Sequence, residues 1–132
     1  MTNEASTPIP DDVSRFITDY IDSVPALEAL LLMRKSPARR WTPAVLAAEL
    51  YMDTSQVAPL LADLSGRGLC GSEEGAEPVY FWRPASPELA AALERLADVY
   101  GRYLVAVTNL IHGKPRPSVR GFLDAFRLRG NE

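Results

Sequence analysis

A mainly α-helical chain with one small β-hairpin is the fold class this sequence predicts, on three observations. Two short helical patterns separated by a tight polar turn lie within 41–69, WTPAVLAAELYMDTSQVAPLLADLSGRGL. A hairpin pattern follows at 70–82, CGSEEGAEPVYFW. Beyond it, apolar residues recur at helical spacing from 87 to 112. With 132 residues, 47% of them hydrophobic and 23% charged, the chain is long enough for one domain with its own core.

The elements follow in order. Residues 1–10 hold two prolines and little that is apolar, and read as a disordered arm. Asp11 or Asp12 caps a first helix whose stripe is Val13, Phe16, Ile17, Tyr20, Ile21 and Val24. After Ser23-Val24-Pro25 a second helix runs from Ala26 to Lys35, with Leu27, Leu30 and Leu31 inward. Thr42-Pro43 starts the third, because threonine accepts a backbone N–H and proline at the first position gives up a donor that has no partner there. The pattern breaks at Met52-Asp53-Thr54. A fourth helix, capped by Asp53 or Thr54, then buries Val57, Leu60, Leu61 and Leu64 and ends at Gly66 and Gly68.

The hairpin comprises Cys70–Ser72, a Glu73-Glu74-Gly75-Ala76-Glu77 tip and Val79–Trp82. Ser86-Pro87-Glu88 opens the longest helix. Leu89, Leu93, Leu96, Tyr100, Tyr103, Val107 and Leu110 repeat at alternating spacings of four and three, a seam over three heptads. Over 87–112 that helix would be about 39 Å long at roughly 1.5 Å per residue. This exceeds what one small core needs, so the seam is assigned to a dimer interface; the alternative is packing on the first helix within one subunit. His112-Gly113-Lys114-Pro115 ends the helix, and a last short helix is expected over 118–129.

The Trp41-Thr42-Pro43 start, Leu46-Ala47-x-x-Leu50, Val57-x-x-x-Leu61-x-x-Leu64 and Arg67-Gly68-Leu69 leading into the hairpin resemble the winged helix-turn-helix of MarR- and PadR-type transcriptional regulators, over roughly residues 24–83. The chain is thus expected to have three parts: a disordered arm over 1–10, an N-terminal helix and winged core with its wing over 11–84, and C-terminal dimerisation helices over 85–132. The resemblance also implies a homodimer on double-stranded DNA that regulates transcription. Winged helices serve as protein-docking modules too, so a protein partner without sequence-specific DNA binding is the alternative.

Net charge is -3 and the sequence pI about 5.2, so nothing marks the whole surface as built to hold nucleic acid. The distribution is more telling. Residues 34–69 carry five basic and three acidic side chains and 102–132 six and two, whereas 1–33 and 70–101 are acidic. Arg34, Lys35, Arg39, Arg40, Arg67 and Arg83 are the candidate phosphate contacts, and Thr54, Ser55 and Gln56 the candidate base readers at the start of the fourth helix. The cations at 34–40 equally suit the negative end of the second helix. Glu73, Glu74 and Glu77 on the wing oppose DNA, since carboxylates near phosphates repel.

An enzyme is not expected. The one histidine, His112, lies at a helix end, and the one cysteine, Cys70, stands far from it, so neither a metal set nor a disulfide nor a nucleophile–base pair is expected, and no cofactor. Tyr100, Tyr103, Phe122 and Phe126 are aromatic at helical spacing; they read as core, with an effector pocket as the alternative. No run reaches the roughly 18 apolar residues of a membrane span, and the N-terminus lacks a signal-peptide pattern. A cytoplasmic protein is expected.

Overall fold

The computed structural model describes residues 8–113. Most of the arm expected over 1–10 and the whole helix expected over 118–129 lie outside the described residues, as do Phe122 and Phe126. Among the described residues, six helices and one hairpin run in the order α1 (Asp11–Tyr20), α2 (Val24–Lys35), α3 (Pro43–Leu50), α4 (Thr54–Gly66), β1 (Gly71–Glu73), β2 (Val79–Phe81), α5 (Pro87–Arg102) and α6 (Leu104–Gly113). Strands β1 and β2 pair antiparallel in the register Gly71↔Phe81, Ser72↔Tyr80, Glu73↔Val79. Trp41, just before α3, adds an isolated bridge to Tyr80, each N–H reaching the other's carbonyl at 2.8 Å.

Short side-chain caps set the helix starts. Thr42 accepts the Val45 N–H at 3.2 Å and Ser86 the Leu89 N–H at 3.1 Å, each with proline in the first turn. Ser23 does the same for Ala26 at 3.2 Å, so α2 starts at Val24 and takes Pro25 into its first turn, two residues earlier than its spacing predicts. Pro10, not an aspartate, precedes α1; Asp11 and Asp12 lie inside its first turn, where their charge suits the positive end of the dipole.

The single helix expected over 87–112 is two helices. Backbone at Tyr103 leaves the helical region (φ -131, ψ 53), two residues after Gly101, a poor helix former in the middle of that stretch. The break redirects α6 so that Val107 and Ile111 are buried while α1 packs against both α5 and α6. Leu93, Leu96, Tyr100 and Val107 of the seam are therefore buried within the subunit, alongside Val13, Phe16 and Ile17 of α1. Leu89 and Leu110 remain partly exposed. Three consecutive apolar residues are exposed at the break, Tyr103 (40%), Leu104 (53%) and Val105 (68%).

Candidate nucleic-acid interface

Helix α4 lies with one side in the core and the other in solvent. Val57, Leu61 and Leu64 are buried against α2 and α3, whereas Thr54, Ser55, Gln56, Pro59, Ala62 and Asp63 are exposed. The outward face is thus a run of small, mostly uncharged side chains. Gln56 also acts locally, because its side-chain oxygen accepts the Asp53 N–H at 3.3 Å as part of the cap that starts the helix. Pro59 removes one intrahelical donor within the second turn.

Both helices of the pair end in the same kind of turn. At the end of α4 the Leu69 N–H reaches the Leu64 carbonyl and the Gly68 N–H that of Ser65, both at 3.0 Å, with Gly68 at φ 81. At the end of α3 the Met52 N–H reaches the Ala47 carbonyl at 3.0 Å and the Tyr51 N–H that of Ala48 at 3.3 Å. The left-handed position there is occupied by Tyr51, φ 57 and ψ 45, the one non-glycine residue with positive φ among those described. Its side chain is 95% exposed. Sequence reading passed over Tyr51; the signal available was a bulky residue directly after the last apolar position of α3, where glycine is usual.

The six candidate cations divide into two groups. Arg34 donates to Glu94 from Nε at 3.0 Å, and Arg40 pairs with Glu73 on the wing while lying 4.4 Å from the Phe81 ring centroid. Arg67 is turned inward: its guanidinium holds Asp22 at 2.7 Å, Asp63 at 3.0 Å and the Tyr20 carbonyl at 3.2 Å, clamping the α1–α2 junction to the end of α4. These three of the six candidate phosphate contacts are held by carboxylates, Glu94, Glu73, and Asp22 with Asp63. Lys35, Arg39 and Arg83 are exposed, and no carboxylate among the described residues lies within ion-pair distance of them. Arg39 stacks over the buried Trp41 ring at 3.8 Å.

Between α3 and the end of α4, residues 43–66, there is no Lys or Arg, whereas Glu49, Asp53 and Asp63 are all present. Ser65 on α4 hydrogen-bonds Ser72 on β1 at 2.9 Å and so ties the wing to this helix. Beside that contact lies an open groove of about 480 Å³, lined by Ala62, Ser65, Gly66, Ser72, Glu73 and Glu74 among others. Elsewhere, burial pushes the Cys70 thiol up to about 12. Burial, with the hydroxyl donating to Glu28 at 2.7 Å, pushes Tyr100 up to about 12 as well. No group of three or more His, Cys, Asp or Glu among the described residues converges on a metal-sized site. No helix among those residues is long and apolar enough to cross a membrane.

Two short helices meeting at a tight turn, followed by a two-stranded wing and flanked by packed helices, make a winged helix-turn-helix architecture. Solved structures share it. HlyU from Vibrio cholerae N16961 is 19% identical with a TM-score of 0.52, over 76% of this chain and 99% of that one. A mutant MarR from E. coli is 12% identical with a TM-score of 0.51, over 91% and 85%. A homodimeric winged helix-turn-helix DNA-binding domain from Mycobacterium bovis, a possible ArsR-family transcriptional regulator, is 20% identical with a TM-score of 0.51, over 79% and 90%. Identities this low establish the fold alone. None of these three neighbours is described as an enzyme. No protein-family model matches the chain, and no curated relative does.

Proposed function

We propose that this chain is a non-enzymatic transcriptional regulator that acts as a homodimer and lays α4 against double-stranded DNA. The observation that carries this reading is the division of α4 into a buried face of Val57, Leu61 and Leu64 and an outward face headed by Thr54 and Ser55. A helix so presented fits the major groove, with hydroxyls at its start able to meet a phosphate or a base edge. Lys35, Arg39 and Arg83 supply phosphate contacts. The exposed Tyr103-Leu104-Val105 patch, with Leu89 and Leu110, supplies the surface for the second subunit. Two copies of α4 would then meet half-sites about 34 Å apart. The solved neighbour described as a homodimeric DNA-binding domain supports both parts.

Retention of the purified chain on duplex fragments at about 50 mM salt, followed by a salt titration, tests the proposal. A linear fall of log affinity with log salt, near -0.9 per phosphate neutralised, is expected. No retention at the low-salt limit rejects it. A second reading, docking on a protein partner, is favoured by one observation: residues 43–66 carry three carboxylates and no cation, and the groove between the end of α4 and the wing is lined by Glu73 and Glu74. Failure on DNA, together with saturable binding to a cationic protein surface, is the result that would select this second reading.

A further inference from the structure

We propose that Tyr51 is a DNA-backbone contact, its phenol donating a hydrogen bond to a phosphate beside the start of α4; this rests on the DNA reading above. Three observations converge. The αα turn has no Lys or Arg anywhere in 43–66, so a phosphate reached by this motif must be met by neutral donors: the hydroxyls of Tyr51, Thr54 and Ser55, or backbone N–H groups. Of those side chains the tyrosine reaches furthest from the backbone, and with 95% exposure it gains almost nothing from its own fold. It also occupies a left-handed position at φ 57, where a Cβ crowds the following carbonyl and glycine is preferred.

The chain's own second copy of this turn makes the comparison internal. At Gly68 the same hydrogen-bond pattern is built with glycine, and a Cβ there would come within 3.1 Å of the Ala85 side chain. At Tyr51 the chain instead carries a large aromatic in the disfavoured conformation with no packing in return. Residues held in such conformations without local compensation cluster at binding sites. Tyr51 stands three positions before Thr54, the first residue of α4.

The test combines melting temperature with DNA affinity for the full chain and the variants Tyr51→Gly and Tyr51→Phe, on a mixed-sequence duplex at about 50 mM salt. Tyr51→Gly is expected to melt a few degrees higher, because the strained residue is relieved, while losing about tenfold in affinity per subunit, the loss of one hydrogen bond to a charged group. Tyr51→Phe is expected to melt as the parent does and to lose nearly as much affinity. Parent-like DNA binding by Tyr51→Gly, or by Tyr51→Phe, overturns the phosphate contact and leaves the DNA reading standing. Absence of DNA binding by the parent chain itself overturns both.

Discussion

Replacing Glu73 by glutamine is expected to strengthen DNA binding, which is an unusual direction for a single substitution. Glu73 ends β1 and neutralises Arg40, whose side chain precedes the Trp41 bridge to the wing. The two side chains, Arg40 and Glu73, are 49% and 61% exposed, so the pair itself contributes only about 0–1 kcal/mol to stability and its loss should leave folding intact. What changes is the charge presented to a phosphate backbone. One carboxylate disappears and one guanidinium is released. If the wing base lies against DNA, Arg40 then neutralises one further phosphate per subunit, and the salt slope steepens by about 0.9 per subunit. The same relation gives an affinity gain of about fifteenfold at 50 mM salt and about fourfold at 200 mM per subunit. Fluorescence anisotropy of a labelled duplex across that salt range measures both quantities. Arg40→Ala serves as the partner in a double-mutant cycle: with Glu73 present it should weaken binding, because the carboxylate is left unpaired beside the phosphates, and combined with Glu73→Gln it should abolish the gain. Unchanged affinity and slope in the Glu73→Gln protein would refute the placement of the wing base against phosphates.

Three further outcomes follow from the same geometry. Arg67→Ala should cost about 2 kcal/mol, on the order of 10 °C in melting temperature, because it releases the clamp on Asp22, Asp63 and the Tyr20 carbonyl; Arg67→Lys should recover only part of this, since an ammonium cannot span both carboxylates. Val105→Glu should leave the melting temperature near that of the parent while shifting sedimentation equilibrium toward monomer, because Val105 is 68% exposed and belongs to the patch proposed for the second subunit; a dimer that persists unchanged would remove that patch from the interface. Raising the pH should destabilise the fold between about 9 and 12: in that window the unfolded chain loses the Cys70 and Tyr100 protons while the folded chain keeps them, both groups being pushed up to about 12, so the folded state binds more protons and stability falls. Thermal melts of the parent and Cys70→Ala check this, the variant showing the shallower decline.

How much of this was legible in the sequence depends on whether the cause was local. Thr42-Pro43 and Ser86-Pro87 signal helix starts because both the capping oxygen and the missing donor act within one turn, and both starts lie where the sequence places them. The break at Tyr103 was not legible. A four-three spacing counts residues without recording direction, so it reads alike for one straight helix and for two helices that both turn apolar residues onto α1. The ion pairs of the phosphate candidates were not legible for a related reason. Arg34, Arg40 and Arg67 pair with Glu94, Glu73 and Asp22, partners far along the chain that only the fold brings within ion-pair distance. A cluster of cations in sequence therefore overstates the positive charge a ligand would meet.

The converse error concerns Tyr51. Read along the chain, it is one polar-capable residue in a turn; its exposure and its left-handed backbone appear only once α3 is seen to end at Leu50. A motif stripped of cations, with its most exposed aromatic placed where glycine would be more stable, has given up both generic electrostatic attraction and local stability. Binding by such a surface has to come from short-range contacts; the Tyr51 contact to a phosphate would hold the helix in place, and Thr54, Ser55 and Gln56 at base edges would discriminate between sequences. On this reasoning the affinity of the chain for arbitrary duplex should be low, and the ratio between its preferred and arbitrary sequences large. Selection of bound sequences from a random pool, followed by affinities for the winner and for a scrambled duplex at equal salt, measures that ratio. A value near one would mean that the outward face of α4 reads no DNA sequence.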